Sequence, residues 1–138
     1  MNNSLRDQAL DILSKHSVGV MATVSNGKPD SRYMTFSNDG FTLYTVTPKD
    51  SGKLDELRKN SHTHILYGYE NEELGETFLE IEGKVLESNI DEMKERILSN
   101  YKGDYLGDAS SLVLLKVEPE RLRFMNKSGD NREEINFH

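Results

Sequence analysis

Cysteine and tryptophan are absent from this chain of 138 residues, which contains only three prolines. Without cysteine the chain can form neither disulfides nor thiolate metal sites, and this is typical of proteins of the reducing cytosol. Long apolar runs are also lacking, since the longest are a few residues and about 20 are needed to cross a bilayer. Residues 1–11 are polar and do not have the pattern of a signal peptide. We therefore expect a cytoplasmic protein with no membrane partner.

Positive charge is in the minority, with 17 Lys and Arg against 24 Asp and Glu and a formal net charge of −7. A surface this acidic repels nucleic acid and anionic lipid, so we expect neither as a partner. The length suits one domain with a core of its own. We place that domain at residues 1–125 and a polar C-terminal tail at residues 126–138.

Short alternating segments separated by turn residues predict a series of β-strands. Residues 18–24 alternate so that one face holds Val18, Val20, Ala22 and Val24. Asn26-Gly27 is a strong signal for a two-residue hairpin, and residues 38–40 form a second turn. The predicted strands occupy residues 18–24, 30–36, 41–47, 63–69, 77–86 and 112–117, the last of them ended by Pro119.

Three short helices are predicted, one before the first strand and two between later strands. Ser4 caps the first, whose apolar face holds Leu5, Ala9, Ile12 and Leu13. The second runs through residues 54–60 after a cap at Asp50 or Ser51, and the third through residues 90–98 after a cap at Ser88 or Asn89. An acidic loop covers residues 71–75. Hairpin-joined strands with so few helices exclude a parallel βαβ fold and predict a mainly β protein, an antiparallel six-stranded barrel with short helices outside.

The segment from Thr47 to Lys53 is the strongest candidate for a binding site. A strand ends there and a helix begins, so free backbone N–H groups, the Ser51 hydroxyl and the Lys53 ammonium could converge on an anion. The simpler interpretation on spacing alone is that Ser51 caps the helix and Lys53 is solvated.

Arg32 shares a strand face with Met34 and Phe36, and an arginine among apolar neighbours needs a partner. That partner is a carboxylate, a phosphate or an aromatic ring on which the guanidinium stacks. A surface salt bridge explains the residue equally well.

His62 and His64 share a strand face, as paired metal ligands would, but a further ligand is not evident, so we expect no metal. Glu80 and Glu82 lie on the outward face of a strand that turns Leu79, Ile81 and Val85 inward, so a solvated face explains them better than an acid pair. The sequence contains no P-loop, no glycine fingerprint for dinucleotide binding and no G-x-S-x-G nucleophile elbow.

Five segments follow one another in an order characteristic of a known family. They are the opening hairpin at residues 18–29, the strand Arg32-Tyr33-Met34-Thr35-Phe36-Ser37, the loop Thr47-x-x-x-Ser51-x-Lys53, the helix at residues 54–60, and Glu82-Gly83-Lys84-Val85. Together they resemble the pyridoxamine 5′-phosphate oxidase-like FMN-binding split barrels, and within them the general stress protein branch. The resemblance extends from the first helix to about Phe124.

The resemblance implies a split barrel that binds FMN between the two subunits of a homodimer. It implies that the arginine-led strand lines the flavin ring and reaches the phosphate, and that the Thr47–Lys53 loop grips the ribityl phosphate. The cofactor contacts carried over in this way are Arg32, Tyr33, Met34, Thr35, Val46, Thr47, Ser51, Gly52, Lys53 and Phe78.

Three departures separate the chain from the oxidases that the resemblance names. Gly52 stands where they have an arginine before the lysine, and Phe78 where they have a flavin-contacting glutamine. Their arginine-rich tail, which holds pyridoxal phosphate, is replaced by residues 126–134 with a single arginine. We therefore do not expect oxidation of pyridoxamine 5′-phosphate.

The expected function is that of an FMN-dependent oxidoreductase that acts on an unidentified small molecule. The flavin would carry the redox chemistry, and no side chain is assigned as a catalytic acid or base. Two alternatives stay open: a non-catalytic stress protein that stores or senses flavin, and a barrel that binds another planar cofactor such as F420 or haem.

Overall fold

The structure, a computed structural model, describes residues 4–69, 77–99, 111–126 and 133–137. Eight strands and three helices lie in these ranges. In chain order they are α1 (Leu5–Lys15), β1 (Val18–Ser25), β2 (Lys28–Thr35), β3 (Ser37–Asp39), β4 (Thr42–Pro48), α2 (Gly52–Lys59), β5 (His62–Tyr67), β6 (Thr77–Ser88), α3 (Asp91–Leu98), β7 (Leu112–Asn126) and β8 (Glu134–Asn136). The predicted acidic loop at residues 71–75 lies outside the described residues.

All strands belong to one antiparallel sheet in the order β2-β1-β5-β6-β7-β4-β3, and β8 pairs with β7. The sheet curls around its apolar face, which confirms a mainly β antiparallel fold of the split-barrel type with short helices. No helix among the described residues is long and apolar enough to span a bilayer.

The first hairpin forms as the sequence predicts. Asn26 and Gly27 both adopt positive φ, of 52° and 77°, as a two-residue turn of this kind requires. The turn fixes the register of β1 and β2, so that Met21 lies opposite Arg32 and Thr23 opposite Asp30. The core face of β1 carries Gly19, Met21 and Thr23, and the valine face of β1 is therefore the outer face of the sheet.

The core lies between the inner face of the sheet and helices α1 and α2. Its largest fully buried side chains are Tyr67, Phe36, Phe124, Leu13, Met21, Leu43, Leu54, Ile65, Leu79, Ile81 and Leu115. Tyr67 ties α1 to the sheet because its hydroxyl donates to the carbonyl of Leu13 at 3.0 Å. A second, smaller cluster packs α3 against β4.

Strand β7 does not end at Pro119, as the sequence predicts, but continues to Asn126. A register shift between Glu82 and Gly83 of β6 accommodates the proline, which pairs opposite Gly83. Proline is tolerated at such a bulge because the ladder already lacks a hydrogen bond there. Gly83 permits the close approach, since a Cβ at this position would lie 2.4 Å from the carbonyl oxygen of Glu118.

One further prediction differs from the structure. Helix α3 is not capped by Ser88 or Asn89, because Ile90 occupies the N-cap position without a side-chain hydrogen bond. Within the segment described as a polar tail, residues 126–138, the structure contains β8, which pairs with β7 and buries Ile135. The polar composition of residues 126–138 conceals this strand because a single buried side chain anchors it.

Candidate functional site

Two cationic side chains, Arg32 and Lys53, meet where the start of α2 faces the inner surface of β2. Strand alternation places Arg32 and Met34 on that inner surface, opposite Met21 and Gly19 of β1. Lys53 is the second residue of α2, and its Nζ donates to the sulfur of Met34 at 3.2 Å. The structure thus brings Lys53 of the Thr47–Lys53 segment next to Arg32 and Met34, which the sequence had placed on one face of a strand.

Arg32 is held by three oxygen atoms on three elements. Its Nη1 donates to Thr23 Oγ1 at 2.8 Å, and its Nη2 donates to Asp30 Oδ2 at 3.1 Å. The same Nη2 lies 3.9 Å from Glu56 Oε2, on α2. The partners of the guanidinium are therefore two carboxylates and a hydroxyl.

Lys53 is half-buried, and its charge is disfavoured there. The pKa of Lys53 is lowered from 10.5 to about 8, first by burial of the amine and second by repulsion from Arg32, against the opposing attraction of Glu56. A bound anion would stabilise the charged forms of both side chains and offset the repulsion between Lys53 and Arg32.

Ser51 caps α2, as the sequence predicts. Its Oγ accepts a hydrogen bond from the backbone N–H of Lys53 at 3.2 Å. The helix therefore starts at Gly52, whose exposed position has nothing within 4 Å of where a Cβ would be. A hydroxyl that accepts one hydrogen bond still has its own proton to donate, so the cap does not exclude a contact with a ligand.

Thr47 carries a buried hydroxyl at the end of β4, four residues before the cap. The residue is 2% exposed, and its Oγ1 has no hydrogen-bond partner in the structure. Alternation along β4 puts this side chain on the same face as Thr45, whose hydroxyl donates to the carbonyl of Thr35 on β2. A buried hydroxyl without a partner is costly, and it indicates a place where a ligand oxygen or water completes the structure.

Four of the carried-over residues lie away from this cluster. Tyr33 and Thr35 alternate with Arg32 and Met34 and so lie on the outer face of β2, where Tyr33 is 79% exposed. Val46 lies on the other face of β4 from Thr47 and packs in the small cluster with α3. Phe78 lies on the outer face of β6 and makes an edge contact with Tyr69, with ring centroids 5.0 Å apart.

The outer face of β6 holds Glu80 and Glu82, for which the sequence predicted a solvated surface. Glu80 is instead largely covered: its Oε1 lies 3.3 Å from His64 Nε2 and its Oε2 3.7 Å from Arg123. Glu82 pairs with Arg121 at 2.7 Å. The strand neighbours β5 and β7 supply these partners, and their register could not be read from β6 alone.

No group of three or more histidine, cysteine, aspartate or glutamate side chains with the geometry of a metal site occurs in the part of the chain that the structure describes. His62 and His64 share the exposed face of β5, and the sequence had predicted that they share one face of a strand.

Sequence reasoning missed Thr23, Asp30 and Glu56, which complete the cationic cluster. A signal for each was present. The two-residue turn at Asn26-Gly27 fixes a register that pairs Thr23 with Asp30 and places both beside Arg32. Glu56 follows Lys53 by three residues on a helix, so the two share a face.

The fold is that of a split barrel with a half-buried cluster of charged side chains where α2 meets β1 and β2. Comparison with known families gives the class. A family model described as pyridoxamine 5′-phosphate oxidase matches residues 5–126. The chain therefore belongs to this family. General stress protein 26 of Bacillus subtilis (strain 168) is 43% identical over 124 residues, which make up 88% of this chain and 89% of that protein.

Solved structures agree with this assignment. The crystal structure of general stress protein 26 from Bacillus anthracis str. Sterne is 25% identical and has a TM-score of 0.79, with 96% of this chain and 98% of that chain covered. A haem-binding protein from Mycobacterium smegmatis is 17% identical and has a TM-score of 0.80. The superposition covers 99% of this chain and 59% of that chain. At that identity the similarity shows the fold alone.

Proposed function

We propose that this protein binds FMN through its phosphate, and that Arg32 and Lys53 supply the charge that holds it. The observation that carries the proposal is the meeting of these two cations at a half-buried position, where Lys53 is costly to keep charged. Proteins retain such an arrangement when an anion compensates it, and a phosphate monoester matches the forked guanidinium and the ammonium together.

The surrounding residues fit a phosphate. Ser51 and the first N–H groups of α2 lie at the positive end of a helix dipole, which favours an anion. Thr47 offers a buried hydroxyl without a hydrogen-bond partner among the described residues. When bound, the flavin would supply redox chemistry, while the chain would hold and orient it and keep water from the ring.

A homodimer is part of the proposal. The outer face of β1, β2 and β5 exposes large apolar side chains, among them Tyr33 at 79%, Val18 at 39% and Leu66 at 38%. A contiguous apolar surface of this kind is typical of an interface. Pairing two copies there would also bring outward residues such as Phe78 toward a shared site. Light scattering should give about twice the monomer mass, and a mass near 15.8 kDa at micromolar concentration would count against the dimer.

The proposed activity is that of an FMN-dependent oxidoreductase acting on a small molecule. Bleaching of the bound flavin by NADH or NADPH would support an enzyme, and a flavin that is bound but not reduced would support a storage or sensing protein. The absorption spectrum of the purified protein and the mass of the released ligand separate FMN from F420 and from haem, which is the ligand of the Mycobacterium smegmatis protein of similar fold.

The direct test compares FMN with riboflavin, which lacks the phosphate. In the double variant Ser51→Ala, Lys53→Ala we expect FMN affinity to fall about 10- to 100-fold and riboflavin affinity hardly at all. A charge-assisted hydrogen bond contributes about 1.5–3 kcal/mol, and each 1.4 kcal/mol is about tenfold in affinity. Ser51→Ala alone provides the control for the lost helix cap, with the melting temperature measured beside each affinity. Equal loss of both flavins would contradict the phosphate grip.

A further inference from the structure

Thr23 links the two charged residues that flank the anion site. It is 1% exposed, and its Oγ1 accepts from Arg32 Nη1 at 2.8 Å while donating to Glu56 Oε2 at 3.2 Å. The hydroxyl can satisfy both neighbours at once only in this orientation, because it has one proton to donate. Arg32 on β2 and Glu56 on α2 are thereby fixed relative to each other across β1.

The charges around the cluster balance in pairs. Two cations, Arg32 and Lys53, face two carboxylates, Asp30 on β2 and Glu56 on α2, while β1 contributes only uncharged groups at this point. Asp30 is largely open to solvent, with its side chain 62% exposed, whereas that of Glu56 is 22% exposed. Since burial weakens screening, the charge of Glu56 acts on Lys53 with little screening by solvent, and it raises the pKa of that amine.

We propose that Glu56 is a positioning residue of the anion site: through Thr23 it holds the Arg32 guanidinium in place, and its carboxylate offsets the repulsion between the two cations so that both are charged when a phosphate arrives. This inference rests on the proposed function for the identity of the ligand, but it concerns Glu56 and Thr23, which are not among the cofactor contacts carried over from the resemblance.

The proposal has a consequence for the dependence of binding on pH. Glu56 opposes the fall in the pKa of Lys53, so that the pKa stays near 8 and most of the amine is charged at neutral pH. Removing the carboxylate charge should lower this pKa by about one unit, as expected for the loss of one nearby opposite charge. At pH 8 the charged fraction would then be about fivefold smaller than in the wild type, whereas at pH 6.5 it would be nearly the same.

Glu56→Gln tests this directly, because the amide oxygen still accepts from Thr23 while the charge is lost. We expect FMN affinity within about threefold of the wild type at pH 6.5 and about a further fivefold loss by pH 8, with riboflavin unaffected. Asp55→Asn is the matched control, since this exposed neighbour on α2 loses the same charge at a side chain 3.8 Å from Arg58 and outside the cluster. Identical pH profiles for the two variants would overturn the proposal.

Thr23→Val tests the link to Arg32, and Thr23→Ser should rescue it. We expect the valine variant to lose about tenfold in FMN affinity, the value of one hydrogen bond to a charged group, and the serine variant to keep most of it. Equal affinities for the two variants at equal melting temperatures would show that the hydroxyl does not position the arginine.

A measurement without ligand separates this inference from the proposed function. In protein carrying isotope-labelled lysine, the NMR titration of the Lys53 side chain, assigned by its absence in Lys53→Met, should shift to lower pH in Glu56→Gln and stay unchanged in Asp55→Asn. If the wild type fails to prefer FMN over riboflavin, the proposed function fails while this titration still tests Glu56. If the preference holds but the titration does not move, the role of Glu56 alone is wrong.

Discussion

Replacing Lys53 by methionine should stabilise the ligand-free protein. The variant keeps the length of the side chain but removes a charge whose pKa falls from 10.5 unfolded to about 8 folded. Such a shift would correspond to about 3 kcal/mol for a fully buried group, and because this amine is partly open to solvent we reduce the figure to about 1–2 kcal/mol. For a domain of this size that is a rise in melting temperature of about 3 to 8 °C.

The sign of the effect gives it a pH dependence. A lysine whose folded pKa is lowered destabilises the fold below pH 8, and the penalty disappears as the pH rises through the window from about 8 to 10.5. Calorimetry should therefore show the largest difference between variant and wild type at pH 7 and less than half of it at pH 9.5. Lys59→Met, at an exposed position in the last turn of the same helix, is the control and should change little. A variant that melts below the wild type at pH 7, or a difference that does not vary with pH, would refute the reasoning.

Three further predictions concern other parts of the molecule. Chelation with EDTA should change neither the melting temperature nor flavin binding, because the paired histidines of β5 have no further metal ligands among the residues that the structure describes; a loss of either would contradict this. Gly83→Ala should cost about 1–3 kcal/mol by forcing a Cβ against the Glu118 carbonyl, while Gly52→Ala, with open space around it, should change stability by less than about 0.5 kcal/mol in a urea titration. Ile135→Ala should cost about 2–4 kcal/mol and its exposed neighbour Asn136→Ala almost nothing, and equal small effects would mean that β8 does not contribute to the core.

Local signals predicted those parts of the fold that local chemistry determines. The turn at Asn26-Gly27 and the caps at Ser4 and Ser51 appear where the sequence places them, because each depends on residues within three positions. The passage of β7 through Pro119 was missed because it depends on Gly83, which is distant in the chain and tolerates the bulge.

Alternation alone could not assign the faces of the strands. In β1 the more hydrophobic set, with Val18 and Val20, lies outside, and the set with Gly19 and Met21 faces the core. The same limit applies to the site. The sequence marked Arg32 and Lys53 individually, but their meeting depends on how α2 packs across β1, which no spacing along the chain encodes.

The position of β7 has a consequence for how the protein can be made. This strand lies between β6 and β4, and it alone joins the sheet portion β2-β1-β5-β6 to the portion β4-β3 among the described strands. During synthesis both portions are made before residues 112–126, so the edges of β4 and β6 stay unpaired until β7 is available. Completion of the barrel is therefore a late event with long-range contacts, and a nascent chain halted before residue 112 should depend on chaperones to avoid aggregation.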